Sequence, residues 1–248
     1  MFFWTCELEP GAGRHGVRFA VTSRTGGASI GPWSGLNLGG GSGDDPEAVE
    51  SNRRDLAKAF GVSRDHLILM RQCHSADVTT VDGPWGAEPP ALDAVVTTRD
   101  DLALAALSAD CVPVLLADPV AGVVGAVHAG RPGMVAGVAL RAVERMVDEG
   151  AGVDDLVAVV GPSVCGRCYE VPASMRDVAA DVSPVSATLS WTGTPAIDVA
   201  AGVVDQLTGL GVDVTWVPGC TREDADLYSY RRDGTTGRFA GVVRLLPS

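Results

Sequence analysis

Two long apolar runs around a single turn constrain this chain more than any other feature. Residues 111–116 (CVPVLL) and 123–128 (VVGAVH) flank the connector Ala117-Asp118-Pro119-Val120-Ala121-Gly122. The runs have the length and valine content of strands. Asp, Pro and Gly give the connector turn chemistry, so the segment predicts an antiparallel hairpin.

Further strands are predicted at residues 17–22, 67–70, 78–81, 94–97, 102–107 and 156–160, near 214–217, and at 240–245. A helix starts at Asp45, a capping residue followed by Pro46, and stops at Gly61 after Phe60. Val49, Leu56 and Phe60 share its inner face. A second helix is predicted over residues 132–149, with Met134, Val138, Ala142 and Met146 at helical spacing. A third opens at Thr194 and Pro195 and turns Val199, Val203, Leu207 and Leu210 inward. The strands cluster rather than alternate strictly with helices, which favours an α+β fold over a doubly wound sheet. No repeat, low-complexity linker or composition break divides the 248 residues, so residues 1–248 are read as a single domain.

The net charge of -12 argues against nucleic acid as a partner and would repel phosphorylated molecules at long range. Any phosphate site should therefore be a local island of basic residues. No run of about 18 apolar residues is present, so no membrane span is expected. The start, MFFWTCELEP, lacks the basic and apolar regions of a secretion signal, and a cytoplasmic location is expected. There, Cys6, Cys73, Cys111, Cys165, Cys168 and Cys220 are expected as thiols or metal ligands rather than a disulfide framework. The glycine-heavy stretch 31–45 is long enough to expect a functional loop.

If the hairpin pairs symmetrically about Pro119 and Val120, Cys111 lies directly across from His128. Opposed β-carbons stand about 4.5–5.5 Å apart, close enough for both side chains to share a metal ion. His74, following a strand in RQCHSAD, is the natural third ligand. Three ligands with one open position describe a catalytic zinc. The same residues also fit a plain structural reading, as a hydrogen-bonding histidine and a packing cysteine. His15 and His66 are assigned no role.

In RQCHSADV, LSADCVPVLLADP and GAVHAG the chain resembles the YfiH-like family of laccase-domain purine nucleoside phosphorylases, also called multicopper polyphenol oxidoreductase-like proteins. SRTGGAS, GLNLG, GDDPEAVESNRR, GPSVCGRCYEV and SYRRDGTTGR extend the likeness in order over nearly the whole length. The resemblance implies packed β-sheets flanked by helices, and zinc held by His74, Cys111 and His128. It also implies phosphorolysis of adenosine, inosine or methylthioadenosine, with adenosine deamination as a further activity. Two departures stand out. The family commonly reads HAGWRG where this chain has His128-Ala129-Gly130-Arg131-Pro132-Gly133, and Cys165 replaces a usual glycine, creating a Cys165-x-x-Cys168 pair.

Phosphorolysis calls for a phosphate clamp, and arginine suits it through bidentate contacts. Arg24, Arg71, Arg231, Arg232 and Arg238 lie in motif loops and are candidates, with Arg71 assigned to catalysis. Asn37 is a candidate for hydrogen-bonding substrate, or a turn residue. Deamination is where zinc has the clearest task, since it acidifies a coordinated water. Asp110 is the candidate proton carrier, or a residue that only orients its neighbours. Four histidines without a His-x-His pair cannot furnish a multicopper cluster, although copper is able to substitute for zinc. The alternative function is a hydrolase editing peptidoglycan precursors with the same ligands; a noncatalytic binding protein with a structural zinc is a third reading. The sequence does not determine the oligomeric state.

Overall fold

The computed structural model describes residues 1–86 and 88–247. Its first half runs β1 (Phe2–Leu8), β2 (Val17–Thr22), α1 (Pro46–Ala59), β3 (Leu67–Leu69), β4 (Val78–Thr80), β5 (Ala94–Thr97) and β6 (Ala103–Ser108). It continues with β7 (Val112–Asp118), β8 (Val123–Ala129), α2 (Arg131–Val135), α3 (Val138–Asp148), β9 (Val157–Val160) and α4 (Ala173–Val182). The chain closes with β10 (Ala187–Leu189), β11 (Pro195–Ile197), α5 (Val199–Gly209), β12 (Asp213–Trp216), α6 (Tyr230–Asp233) and β13 (Phe239–Leu245).

Two mixed sheets form, ordered β1-β2-β13-β6-β3 and β12-β9-β7-β8-β5-β4, and β10 pairs with β11 apart from them. Phe19, Leu104 and Val243 of the first sheet share one buried cluster with Leu115, Val124 and Val159 of the second. The other face of the second sheet, through Val114, Leu116 and Val127, packs on Val138, Met146, Val203 and Leu207 of α3 and α5. Leu56 of α1 packs with Ala20, Ala105 and Val242 on the outer face of the first. The order is helix, sheet, sheet, helix, an α+β fold in one domain. Burial on both faces explains why β7 and β8 read as continuous apolar runs. Each buried valine or leucine stabilises the stack by roughly 1.5–3 kcal/mol.

The hairpin forms in a shifted register. Pro113 rather than Cys111 pairs with His128, an offset of two residues, because Asp118 and Val123 close a four-residue turn. Asp118 holds that turn by accepting from the backbone N–H groups of Val120 and Ala121. Side chains alternate with a period of two, so the offset leaves Cys111 on the face that carries His128.

Helix α1 is capped as its residues predict, with the Asp45 side chain accepting from Glu47 N. Val49, Leu56 and Phe60 are all buried. The helix expected over 132–149 is instead two. Gly137 adopts a left-handed φ of 75°, and Gln206 Nε2 donates to the carbonyl of Met134 at the break. The helical spacing nevertheless holds, because Met134, Val138, Ala142 and Met146 all pack against the same sheet face. Thr194 and Pro195 do not begin a helix: Pro195 enters β11, and Asp198 caps α5 by accepting from Ala201 N. Val199, Val203 and Leu207 face inward as expected, but Leu210 is 43% exposed at the helix end. Strand β1 and helix α4 were not anticipated. No helix among the described residues is long and apolar enough to cross a membrane.

Candidate metal centre and its cleft

Where β6 of one sheet passes to β7 of the other, Ala109, Asp110 and Cys111 make a sharp crossing at the mouth of the inter-sheet space. Asp110 there has a φ of 117°, a conformation that costs a non-glycine residue about 1–3 kcal/mol. Three hydrogen bonds offset that strain. The Asp110 carboxylate accepts from Thr221 Oγ1 and Ser229 Oγ at 2.6 Å and from Arg231 N at 2.7 Å. A carboxylate so occupied is an anchor, and the proton-carrier reading of Asp110 gives way to the orienting one.

The crossing brings Cys111 beside His128 at the end of β8 and His74 on the loop before β4. The donor atoms of these three side chains all lie within 4.8 Å of one another. Cys111 Sγ is 3.6 Å from His74 Nε2, and the two imidazoles meet edge to face at 4.9 Å. His74 is held at a left-handed φ of 64°. Gly130 is what lets the groups converge. A β-carbon there would lie 2.5 Å from His74 Cδ2 and 3.2 Å from Cys111 Sγ.

Asp93, just before β5, orders the centre from behind and was missed by sequence reasoning. Its Oδ1 accepts from His128 Nδ1 at 2.8 Å, which directs Nε2 toward Cys111. Oδ2 accepts from Ser75 N at 2.6 Å and from Cys73 N at 3.2 Å, pinning the loop that carries His74. Although burial opposes its charge, the His128 hydrogen bond and the backbone donors hold the Asp93 carboxyl well below the usual carboxylate range. Burial also disfavours the Cys111 thiolate, but the His128 charge and hydrogen bonds from both histidines draw its thiol down to about 6. His128, opposed in turn by burial, is pushed up to about 9 by Cys111 and Asp93. Charge on either partner therefore favours charge on the other.

The donors lie in the wall of a cleft of about 1140 Å³. Among the described residues, five arginines line it, Arg53, Arg71, Arg131, Arg231 and Arg238, against one acid, Asp110. In a chain of net charge -12 this is a local reversal of sign. Glycines of the 31–45 loop make room for two of them: a β-carbon at Gly39 would sit 2.6 Å from Arg238 Cγ, and one at Gly40 3.0 Å from Arg53 Nη2. Tyr169, Tyr230, Leu107 and Val164 add an aromatic and apolar wall.

Of the arginines named from sequence, Arg71, Arg231 and Arg238 reach the cleft. Arg24 and Arg232 do not line it. Arg24 stacks on Tyr228 at 4.8 Å, and Arg232 donates to the carbonyls of Thr221, Asp224 and Leu227. Asn37 is buried and binds protein rather than the cleft. Its Oδ1 accepts from Gly39 N and Arg238 N, and its Nδ2 donates to Ser42 and Asp44. Arg53 was overlooked, yet it follows Val49 by four residues on the inner stripe of α1, a charge where the pattern called for an apolar residue. Arg131, displaced by one position relative to the resembled motif, still faces the cleft from the start of α2.

A family model described as multi-copper polyphenol oxidoreductase laccase matches residues 18–246. The chain is 58% identical over 233 residues to a Streptomyces griseus protein named purine nucleoside phosphorylase ORF3, covering 92% of this chain and 94% of that one. A Streptomyces coelicolor protein also named purine nucleoside phosphorylase is 56% identical, with 93% and 96% covered. The solved structure of the Bacillus licheniformis YfiH protein superposes with a TM-score of 0.86 at 26% identity, covering 94% of this chain and 97% of that one.

Proposed function

This chain belongs to the multi-copper polyphenol oxidoreductase laccase family, and on that premise we propose that it is a zinc-dependent purine nucleoside phosphorylase of the cytoplasm. The observation that carries the reading is one cleft holding both a His-Cys-His donor set and an arginine lining, on an otherwise acidic protein. Purine nucleoside phosphorylase is also what the two Streptomyces relatives are called.

The donor set fits zinc: two imidazole nitrogens and a thiolate are its preferred ligands, and a third-ligand geometry leaves a position open. When bound, the metal would supply Lewis-acid polarisation of a substrate group or of water. Asp93 fixes the tautomer and direction of His128, as an outer carboxylate does for many ligating histidines. Arg71 and Arg238 bind phosphate, with Arg53, Arg131 and Arg231 completing the positive field. Asn37 positions Arg238 through its backbone N–H, and the exposed Tyr230 offers a face on which a purine stacks, while Arg231 covers the Tyr169 ring at 4.7 Å. Adenosine, inosine and methylthioadenosine are the substrates, with adenosine deamination as a second reaction of the same centre. A reducing compartment keeps Cys111 available as a ligand. Only His74 and His128 of the four histidines converge on the cleft, a number too small for a multicopper cluster.

Base release from each nucleoside, followed by chromatography with and without phosphate, tests the proposal. Adenine and ribose 1-phosphate formed only with phosphate are expected, with inosine as the sign of deamination. No base from any purine nucleoside, together with turnover of a muramoyl-amino-acid substrate, would replace it with an amide hydrolase.

A further inference from the structure

A second set of soft donors lies outside the cleft. Sequence shows only the Cys165-x-x-Cys168 pair; folding brings Cys220 and Glu223 to it. The Sγ atoms of Cys165, Cys168 and Cys220 and a carboxylate oxygen of Glu223 all lie within 4.8 Å of one another. From this we infer a second, structural metal site, closed by Cys165, Cys168, Cys220 and Glu223 and suited to zinc.

Two similar turns build it. Cys168 N and Tyr169 N donate to Cys165 O, and Glu223 N and Asp224 N donate to Cys220 O. Each turn thus presents its first and fourth residues on one side, the arrangement in which paired ligands approach a single ion. A bridge between Ser163 and Cys220, with Thr221 N donating to Ser163 O at 3.0 Å, holds the turns together. In a tetrahedral zinc site with Zn–S near 2.3 Å, ligand sulfurs stand about 3.8 Å apart. Cys168 Sγ is already 3.4 Å from Glu223 Oε1, so only a small contraction separates the cluster from that geometry. Cys165 N donates to Cys220 Sγ at 3.4 Å, a further contact between the two turns.

The alternative use of such thiols is a disulfide. It would take two of the three and leave the third sulfur and the carboxylate without a reason to converge. A divalent cation uses all four. Thiolate-rich tetrahedral sets select zinc over hard cations, and four protein ligands leave no position for a substrate. A shallow hollow bordered by Trp216, Pro218 and Gly219 gives an ion a path in.

The placement says what the tie is for. The first turn leads to Val164 and Tyr169, and the second leads to Tyr230 and Arg231, all in the cleft wall. Thr221, next to Cys220, donates to Asp110 beside the first metal centre. The ion would clamp two loops that hold the cleft in shape.

Metal analysis of the full chain, purified with reductant and zinc and then desalted, tests this site separately from the first. Wild type should hold about two zinc per chain, and Cys220→Ser and His74→Ala about one each. Cobalt in the His74→Ala protein should show strong thiolate-to-metal charge transfer, largely lost when Cys220→Ser is added. Because a variant can fail to fold, alkylation of wild type followed by peptide mass mapping gives an independent reading. Cys165, Cys168 and Cys220 should be protected until a chelator is added. One zinc per chain, all of it lost in His74→Ala, would overturn the second site. So would equal alkylation with and without chelator, or a disulfide joining any two of the three cysteines.

Discussion

Asp93 Oδ1 and His128 Nδ1 stand 2.8 Å apart, both side chains all but removed from solvent. This contact links β5 to β8 at the candidate metal centre, and the other Asp93 oxygen holds the loop of His74. One carboxylate therefore sets the position of two candidate ligands. Asp93→Asn should weaken zinc binding about 10–100-fold, the range for loss of an outer-shell partner. Chelator competition measures the affinity, and a circular dichroism spectrum matching wild type would separate it from unfolding. Unchanged affinity would show that His128 is oriented without Asp93.

Gly130→Ala tests the close approach of the ligands. The added methyl would meet His74 Cδ2 at 2.5 Å, and the exposed loop of His74 is the element able to move away. Metal affinity should fall on the order of 10-fold or more, as for other changes that displace a ligand. The melting temperature of metal-free protein should change little, because the clash is at the cleft and not in the core. Full zinc retention after dialysis would contradict the geometry.

Arg71→Ala and Arg238→Ala should each raise KM for phosphate and leave KM for the nucleoside nearly unchanged. A charge-assisted hydrogen bond contributes about 1.5–3 kcal/mol, which corresponds to roughly 10–100-fold in phosphate KM. Initial rates at varied phosphate, with nucleoside saturating, give the comparison. Equal effects on both substrates would move the phosphate site elsewhere along the arginine lining.

Arg232→Ala should behave differently, because its guanidinium ties three backbone carbonyls, of Thr221, Asp224 and Leu227. Losing these should lower unfolding stability by about 2–4 kcal/mol. Denaturant unfolding reads this directly. A variant as stable as wild type but with impaired phosphate use would restore Arg232 as a binding residue.

Removing zinc with a chelator should lower the melting temperature, and adding it back should restore it, since a ligand that binds only the folded state stabilises it. A melting temperature indifferent to chelation would argue that no metal is held by the folded chain.

Local chemistry alone determined a good deal of this protein. Asp45-Pro46 and Gly61 bound α1 because capping and turn preferences act over a few residues. The runs in β7 and β8 declared themselves because a strand buried on both faces must be apolar at nearly every position. His74, Cys111 and His128 could be singled out as a candidate donor set because few side-chain types suit zinc and the motifs around them resemble those of the family; the fold brings their donor atoms within 4.8 Å of one another. What needed the tertiary structure was every relation between distant segments. The hairpin register turned on how Asp118 closes its turn, and the break at Gly137 on a packing that keeps the helical period while the backbone bends. Asp93 was a lone acid before an apolar strand until β8 was laid beside it. Arg24, Asn37 and Arg232 looked like ligand contacts because a sequence shows a polar group but not its partner. Cys220 and Glu223 lie more than fifty residues beyond Cys165 and Cys168, and only the fold brings the two turns into contact.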